Sequence, residues 1–228
     1  MINVIAVNGS PKMQKGMTAI ILNPFLEAME EAGASVELVY VKSLDIKPCT
    51  GELSCWKSKK GKCYIQDDMQ QLYSKLRKAD ILVLAIPVYI PLPGEMQNFL
   101  NRLVSLMDPE EVMRDGRTRI RFKGDVGISK VVLVSTSGWW EKGNFRTVVR
   151  IAKEIAEDAS VEFSGALIRP HSSLWGEDEG RTKEVLKAVR QAGYQLVKDG
   201  KISDVLLKTI SQPLISRKER IRRLKNRQ

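Results

Sequence analysis

Residues 2–12 read Ile-Asn-Val-Ile-Ala-Val-Asn-Gly-Ser-Pro-Lys. The stretch from Ile2 to Asn8 is nearly all apolar, the pattern of a parallel strand buried on both faces. It stops at Gly9-Ser10-Pro11-Lys12, and Gly16-Met17-Thr18 then opens a helical pattern. A buried strand that turns on glycine into a helix is the first half of a βαβ unit.

The same alternation continues along the chain. Residues 17–32 predict a helix ended by Gly33, with Pro24 expected to kink it or start a second segment. SVELVYV at 35–41 is the next strand, and 42–66 is irregular. Asp67 and Asp68 stand where an N-cap and first turn belong, ahead of Met69, Leu72, Tyr73 and Leu76. DILVLAIPV at 80–88 is a third strand, followed by helical spacing over 94–107 at Met96, Phe99, Leu100, Leu103 and Leu106. Residues 108–123 are charged and unpatterned, which predicts a surface loop. A strand at 130–138, a helix at 144–158, a strand at 160–168 and a helix at about 180–198 complete the series. Five such strands predict an α/β fold, a doubly wound five-stranded parallel sheet with helices on both faces. We expect that domain over 1–199, and a C-terminal helical extension with a basic tail over 200–228.

Bulk properties narrow the class further. A chain of 228 residues, 43% hydrophobic and 28% charged, suits one globular domain. No apolar run is long enough to span a membrane. The first residues lack the cationic start and apolar core of a secretory signal, so a cytoplasmic location is expected. The net charge of +10 is uneven: the last twelve residues carry +6 of it, with Glu219 as their only acid. Nucleic-acid binding by that tail is a minor expectation, since no aromatic side chain accompanies it. A short amphipathic helix packed on a neighbouring subunit is the other reading.

In a doubly wound sheet, ligands bind beyond the carboxyl ends of the strands, where strand order reverses. Three post-strand segments are distinctive. Ser10, Lys12, Gly16, Met17 and Thr18 combine small residues, hydroxyls and a cation at a helix start, the makings of a phosphate site. The pattern is neither GxxxxGK[ST] nor GxGxxG, so neither ATP nor a standard dinucleotide fingerprint is indicated. Pro87-Val88-Tyr89-Ile90 begins a proline-stiffened apolar segment suited to a flat aromatic ring. Ser135-Thr136-Ser137-Gly138-Trp139-Trp140 follows the fourth strand, and two adjacent tryptophans cannot both be core.

Taken in this order, NGSPK at 8–12, a cysteine-rich loop before Asp67-Asp68-Met69, PVY at 87–89 and STSGWWEKGNF at 135–145 resemble the NADPH-dependent FMN reductase family. That family belongs to the flavodoxin-like superfamily, and the match is nearest its iron–sulfur flavoprotein branch, covering roughly 1–195. The resemblance implies FMN as cofactor, NAD(P)H as reductant, and a quinone, flavin, metal or protein as electron acceptor. It implies that Ser10, Lys12 and Thr18 hold the FMN phosphate. Pro87, Val88 and Tyr89 with the following loop would line the isoalloxazine, and Ser137, Gly138 and Trp139 would contact it from the third loop. It also implies a homodimer or homotetramer. A flavodoxin-like electron carrier without useful NAD(P)H turnover is the alternative. Met17 departs from the family, which usually has a polar residue there, often Asn.

The cysteines fall at Cys49, Cys55 and Cys63. By resemblance to Cys-x2-Cys-x2-Cys with a fourth Cys beyond, this sequence keeps three thiols and places Glu52 at the second position. Readings left open are an iron–sulfur cluster with Glu52 or solvent as fourth ligand, a zinc site, and reduced thiols with no metal. Lys57, Lys59, Lys60 and Lys62 surround the cysteines and are candidates to attract an NADPH 2′-phosphate or an acidic redox partner. His171 reads as a satisfied structural histidine.

Overall fold

A computed structural model describes residues 1–57 and 62–225. Lys59 and Lys60 lie outside the described residues. In chain order the elements are β1 (Asn3–Asn8), α1 (Met17–Glu31), β2 (Ser35–Tyr40), α2 (Ser54–Lys57), α3 (Met69–Lys78), β3 (Ile81–Ala85) and α4 (Gly94–Arg102). They continue with β4 (Met107–Arg114), β5 (Arg117–Phe122), β6 (Lys130–Thr136), α5 (Arg146–Ala159), β7 (Glu162–Arg169), α6 (Glu179–Asp199), α7 (Asp204–Ile210) and α8 (Arg217–Lys225).

The main sheet is five-stranded and parallel in the order β2-β1-β3-β6-β7, the expected doubly wound α/β architecture. Side-chain alternation divides its core in two. Ile5, Val7, Leu82, Leu84, Val131 and Leu133 face α3, α4 and α5. Val4, Ala6, Val83, Val132 and Val134 face α1 and α6. Ile202, Leu206, Ile210 and Leu214, from the segment after α6, complete this second layer.

Pro24 lies inside a single helix, α1, rather than dividing it. A mid-helix proline costs about 3 kcal/mol. Ile21, Leu22, Phe25, Leu26 and Met29 bury one face of the same helix, each contributing roughly 1.5–3 kcal/mol, so packing outweighs the break. Opposite them, Gly193 of α6 lets the two helices touch, because a Cβ there would collide with the Phe25 carbonyl.

Two expectations are corrected. Residues 108–123 form no surface loop but the β4–β5 hairpin, turning at Asp115 and Gly116 with φ of 50° and 71°. Asp-Gly with both residues left-handed is the favoured two-residue hairpin turn. The strands read as unpatterned because their buried partners are polar: Arg119 pairs with Glu154 (2.9 Å), Glu157 (2.7 Å) and Asp158 (2.6 Å) on α5. Helical spacing over 94–107 also ends early, with α4 passing into a 3₁₀ turn at Leu103–Leu106 and Met107 starting β4.

Asp67 and Asp68 do more than start a helix. The Asp67 side chain is fully buried against Arg102, whose nitrogens donate to its two oxygens at 2.6 and 3.1 Å. Asp67 also accepts from the backbone N–H groups of Lys47 (3.0 Å) and Met69 (3.1 Å). Burial alone would raise its carboxyl pKa, but the Arg102 and backbone hydrogen bonds bring it below the usual range. Asp68 accepts from the Asp45 N–H at 2.8 Å. Both carboxylates thus tie down the segment before the cysteine loop.

Gly193→Ala is expected to destabilise the protein by about 3 kcal/mol, since a backbone carbonyl cannot step aside as a side chain can. Chemical denaturation of the two proteins measures this.

Candidate functional site

The chain leaves β1 toward β2 on one side and returns through β3 on the other, so strand order reverses at β1. The segments after β1, β3 and β6 meet at that edge and are bonded to one another. Gly9 N–H donates to Ala85 O at 2.8 Å, joining the first to the second. Val88 N–H donates to Thr136 O (2.9 Å) and Ser135 Oγ to Ile86 O (2.6 Å), joining the second to the third. The hydroxyls of Thr18 and Thr136 lie 2.9 Å apart, joining α1 to the third.

The first segment is a tight cradle. Asn8 Oδ1 accepts from Ser10 N–H at 2.8 Å, and a 3₁₀ turn at Met13–Lys15 delivers the chain to Gly16. A Cβ on Gly16 would stand 2.4 Å from Ser10 Oγ, so any larger residue there would displace that hydroxyl. A Cβ on Gly9 would meet Met96 at 2.9 Å. Helix α1 starts at Met17 with no side-chain cap, leaving its first N–H groups without intrahelical partners. Ser10 and Thr18 are buried, Lys12 is exposed, and the Asn8 amide nitrogen is buried with no partner. These are donors gathered at the positive end of a helix, where an anion is stabilised.

The second and third segments supply an apolar slot. Val88, Tyr89, Ile90, Leu92 and Trp139 line a cavity of about 330 Å³. Tyr89, Ile90 and Trp139 are largely exposed, while Pro87, Ser135, Thr136 and Ser137 are buried behind them. Ser137 shapes the turn: its Oγ accepts from Trp139 N–H at 3.1 Å, its N–H donates to Arg169 O and its carbonyl accepts from Ser172 N–H. Gly138 is exposed with open space around its Cα. Thus Ser10, Gly16, Met17 and Thr18 gather at one end, and Pro87, Val88, Tyr89, Ile90 and Ser135–Trp139 at the other.

Sequence reasoning missed the layer beneath the tryptophans. Trp140 rests on His171 with ring centroids 3.6 Å apart. His171 is buried, and neither ring nitrogen has a hydrogen-bond partner among the described residues, unlike the satisfied histidine expected. Burial, with help from the charges of Arg220 and Arg169, pushes its pKa down to about 4. Arg169 is wholly buried with no carboxylate partner among the described residues, its guanidinium donating to the carbonyls of Pro170 (2.8 Å), Ile210 (2.6 Å) and Gln212. Burial brings its pKa down to about 10. Only the position of His171 after the fifth strand hinted at this layer.

Among the described residues, no three His, Cys, Asp or Glu side chains gather to hold an ion. Cys55 and Cys63 are buried and Cys49 is half-buried, all as free thiols. Glu52 instead accepts from Ser54 N–H (2.7 Å) and Ser54 Oγ (3.0 Å), capping α2. Three thiols with a capping carboxylate are a donor set that does not fit an iron–sulfur cluster.

The model of the family described as NADPH-dependent FMN reductase matches residues 2–139, more than half of the chain. The chain belongs to this family. It is 30% identical over 139 residues to an iron–sulfur flavoprotein of Methanosarcina thermophila, covering 61% of this chain and 67% of that protein. An iron–sulfur flavoprotein of Methanocaldococcus jannaschii is 30% identical over 138 residues, 60% of this chain and 65% of the relative. The matches therefore span about two thirds of these relatives' length. Among solved structures, an FMN-dependent NADH-azoreductase from Bacillus anthracis in complex with FMN superposes with TM-score 0.61 at 13% identity, covering 86% of this chain and 100% of that one. An NAD(P)H:quinone oxidoreductase from Methanothermobacter marburgensis gives 0.60 at 15% identity, covering 86% and 98%. At such identities the two structures show a shared fold. Within this family member, no helix among the described residues is long and apolar enough to cross a membrane.

His171 is the only histidine, so its imidazole signals are unambiguous in a proton NMR titration. A midpoint near 4 is expected in place of the ordinary 6.5. With the folded pKa below the unfolded one, the unfolded chain binds the extra proton between those values. This group's contribution to stability therefore declines as pH falls from about 6.5 toward about 4.

Proposed function

We propose that the chain binds one FMN across the three bonded segments and uses it as an oxidoreductase. It takes reducing equivalents from a nicotinamide dinucleotide and passes them to a quinone, flavin, metal or protein acceptor. The carrying observation is the pairing of an uncapped, glycine-opened helix start with an apolar slot at the point of strand reversal. Family membership supports the same reading.

The residues fit the cofactor by their chemistry. Ser10, Thr18 and the first N–H groups of α1 suit a phosphate, with Lys12 adding charge at the rim. Asn8 offers a buried amide donor that nothing else uses. Met17 brings no side-chain donor, so its contribution is its backbone N–H. Val88, Tyr89, Ile90, Leu92 and Trp139 suit a flat ring, with Gly138 giving access beside it. When bound, FMN supplies the hydride chemistry itself, and the protein supplies position and electrostatics. The side chains around the slot are apolar and aromatic, which fits a site that excludes water and needs no acid or base of its own.

Electron flow here is assigned to the flavin alone. A Glu52 carboxylate already used as a cap, with only three thiols beside it, favours a cysteine loop without an iron–sulfur cluster. A homodimer or homotetramer remains part of the proposal, as does an acidic redox protein among the acceptors.

Protein purified without air is expected to show flavin absorption, directly or after incubation with FMN, that bleaches on adding NADPH. Absence of bound flavin after incubation refutes the reading, and bound flavin that NADPH cannot bleach favours an electron carrier. Trp139→Ala should weaken FMN binding roughly tenfold and change stability by less than about 0.5 kcal/mol, since the side chain is exposed. Thiol titration of the denatured, anaerobically purified protein should find three free thiols and no iron.

A further inference from the structure

Asn8 closes β1 at the carboxyl edge of the sheet and is sealed from solvent. Its Oδ1 accepts from Ser10 N–H at 2.8 Å, while its Nδ2 is buried with no hydrogen-bond partner among the described residues. Turning the amide over does not relieve this. With its two ends exchanged, Nδ2 would face the Ser10 N–H, donor against donor, and the one bond the side chain makes would be lost. The amide is therefore fixed, with its N–H groups unspent.

Strand periodicity shows where those donors lie. Val4 and Ala6 face α1 and α6. Side chains two apart share a face, so Asn8 is on the side of the sheet that α1 covers. Thr136 stands on that face too, two residues beyond Val134, and its hydroxyl meets that of Thr18 in the first turn of α1. The neighbour of Asn8 on β3 is Ala85, whose methyl group offers no acceptor. Asn8 thus sits beside Ser10 under the uncapped start of α1.

A buried donor without an acceptor is costly, and a site that carries one favours a ligand bringing the missing acceptor. Phosphate oxygens at a helix start are such acceptors. We propose that Asn8 is the specificity residue of the cradle: its Nδ2 hydrogen-bonds the flavin phosphate from the strand side, so that FMN is taken and riboflavin, which lacks the phosphate, is refused. This assignment rests on the flavin reading above. A site built to hydrogen-bond a group rejects the analogue without it more strongly than an apolar pocket rejects a missing methylene. The slot of Val88, Tyr89, Ile90, Leu92 and Trp139 would meet the same ring in both flavins, so the discrimination has to come from the cradle.

The test titrates FMN, riboflavin and inorganic phosphate separately into the full-length protein in mildly alkaline, phosphate-free buffer. Flavin fluorescence reads the first two, and the Asn8 side-chain N–H signals in a heteronuclear NMR spectrum read all three. Asn8→Asp keeps an acceptor for the Ser10 N–H and puts a carboxylate oxygen where the donor was. It should bind FMN about a hundredfold more weakly and riboflavin as the parent does. Asn8→Ala should lose about tenfold for FMN, again sparing riboflavin. In the parent, the Asn8 N–H signals should shift with FMN and with phosphate, and stay put with riboflavin. If neither variant folds, those parental signals decide alone. An unchanged FMN-to-riboflavin ratio in Asn8→Asp, or Asn8 signals that ignore bound FMN, overturns this inference and leaves the flavin reading standing. A parent that binds no flavin, while phosphate still moves the Asn8 signals, defeats the flavin reading and keeps Asn8 as a phosphate ligand. If phosphate leaves those signals unmoved as well, both fall.

Discussion

A parallel sheet whose strand order reverses must leave a crevice, because the crossovers on either side of the reversal depart to opposite faces. Here the reversal falls at β1, with β2 on one flank and β3 on the other. Everything at the candidate site follows from that placement. The glycine-opened start of α1 comes to lie beside the ends of β3 and β6, and the Thr18–Thr136 hydroxyl contact closes the gap at 2.9 Å. The two glycines of the first segment are demanded by neighbours, Ser10 in one case and Met96 in the other. Substituting either would push on the cradle before it pushed on any ligand.

Away from the crevice, buried charge does much of the positioning. The Asp67–Arg102 pair has both side chains sealed from solvent. Such a pair is tolerable only with further hydrogen bonds, and here Lys47 and Met69 supply them to the carboxylate and the Lys47 carbonyl to the guanidinium, while Arg102 Nε is left buried without a partner among the described residues. Arg169 shows the opposite solution, a cation without a carboxylate partner among the described residues, held by the Pro170 carbonyl and two from the C-terminal segment. That arrangement ties residues 210–212 to the end of β7 and leaves a positive charge under the tryptophan loop.

The cysteine loop is held in place by side chains from the elements around it. Lys123 donates to the Cys55 and Ser105 carbonyls, Trp56 Nε1 to Val104 O, and Gln70 to the Cys63 and Ile65 carbonyls. The backbone of the loop is thus supported by ordinary hydrogen bonds. Glu52 caps α2 through the Ser54 N–H, a task for which a carboxylate is well suited.

Much of this was legible in the residues, and the physical reasons divide cleanly. Buried parallel strands are continuous apolar runs, so the five strands and the segments after them could be read by eye, and with them Ser10, Thr18, Val88 and Trp139. The β4–β5 hairpin escaped because Arg119 is buried through three acids on α5, and a pattern of apolar alternation cannot register polar burial. Pro24 misled for a related reason: local cost is visible in sequence, while the core face that outweighs it is not. The Trp140–His171 stack, the Arg169 cage and the docking of α8 join residues far apart in the chain. Sequence determined which side chains exist and the local periods they follow. Only the folded chain decided which distant charges and rings would meet, because that depends on strand order and on how each layer closes over the sheet.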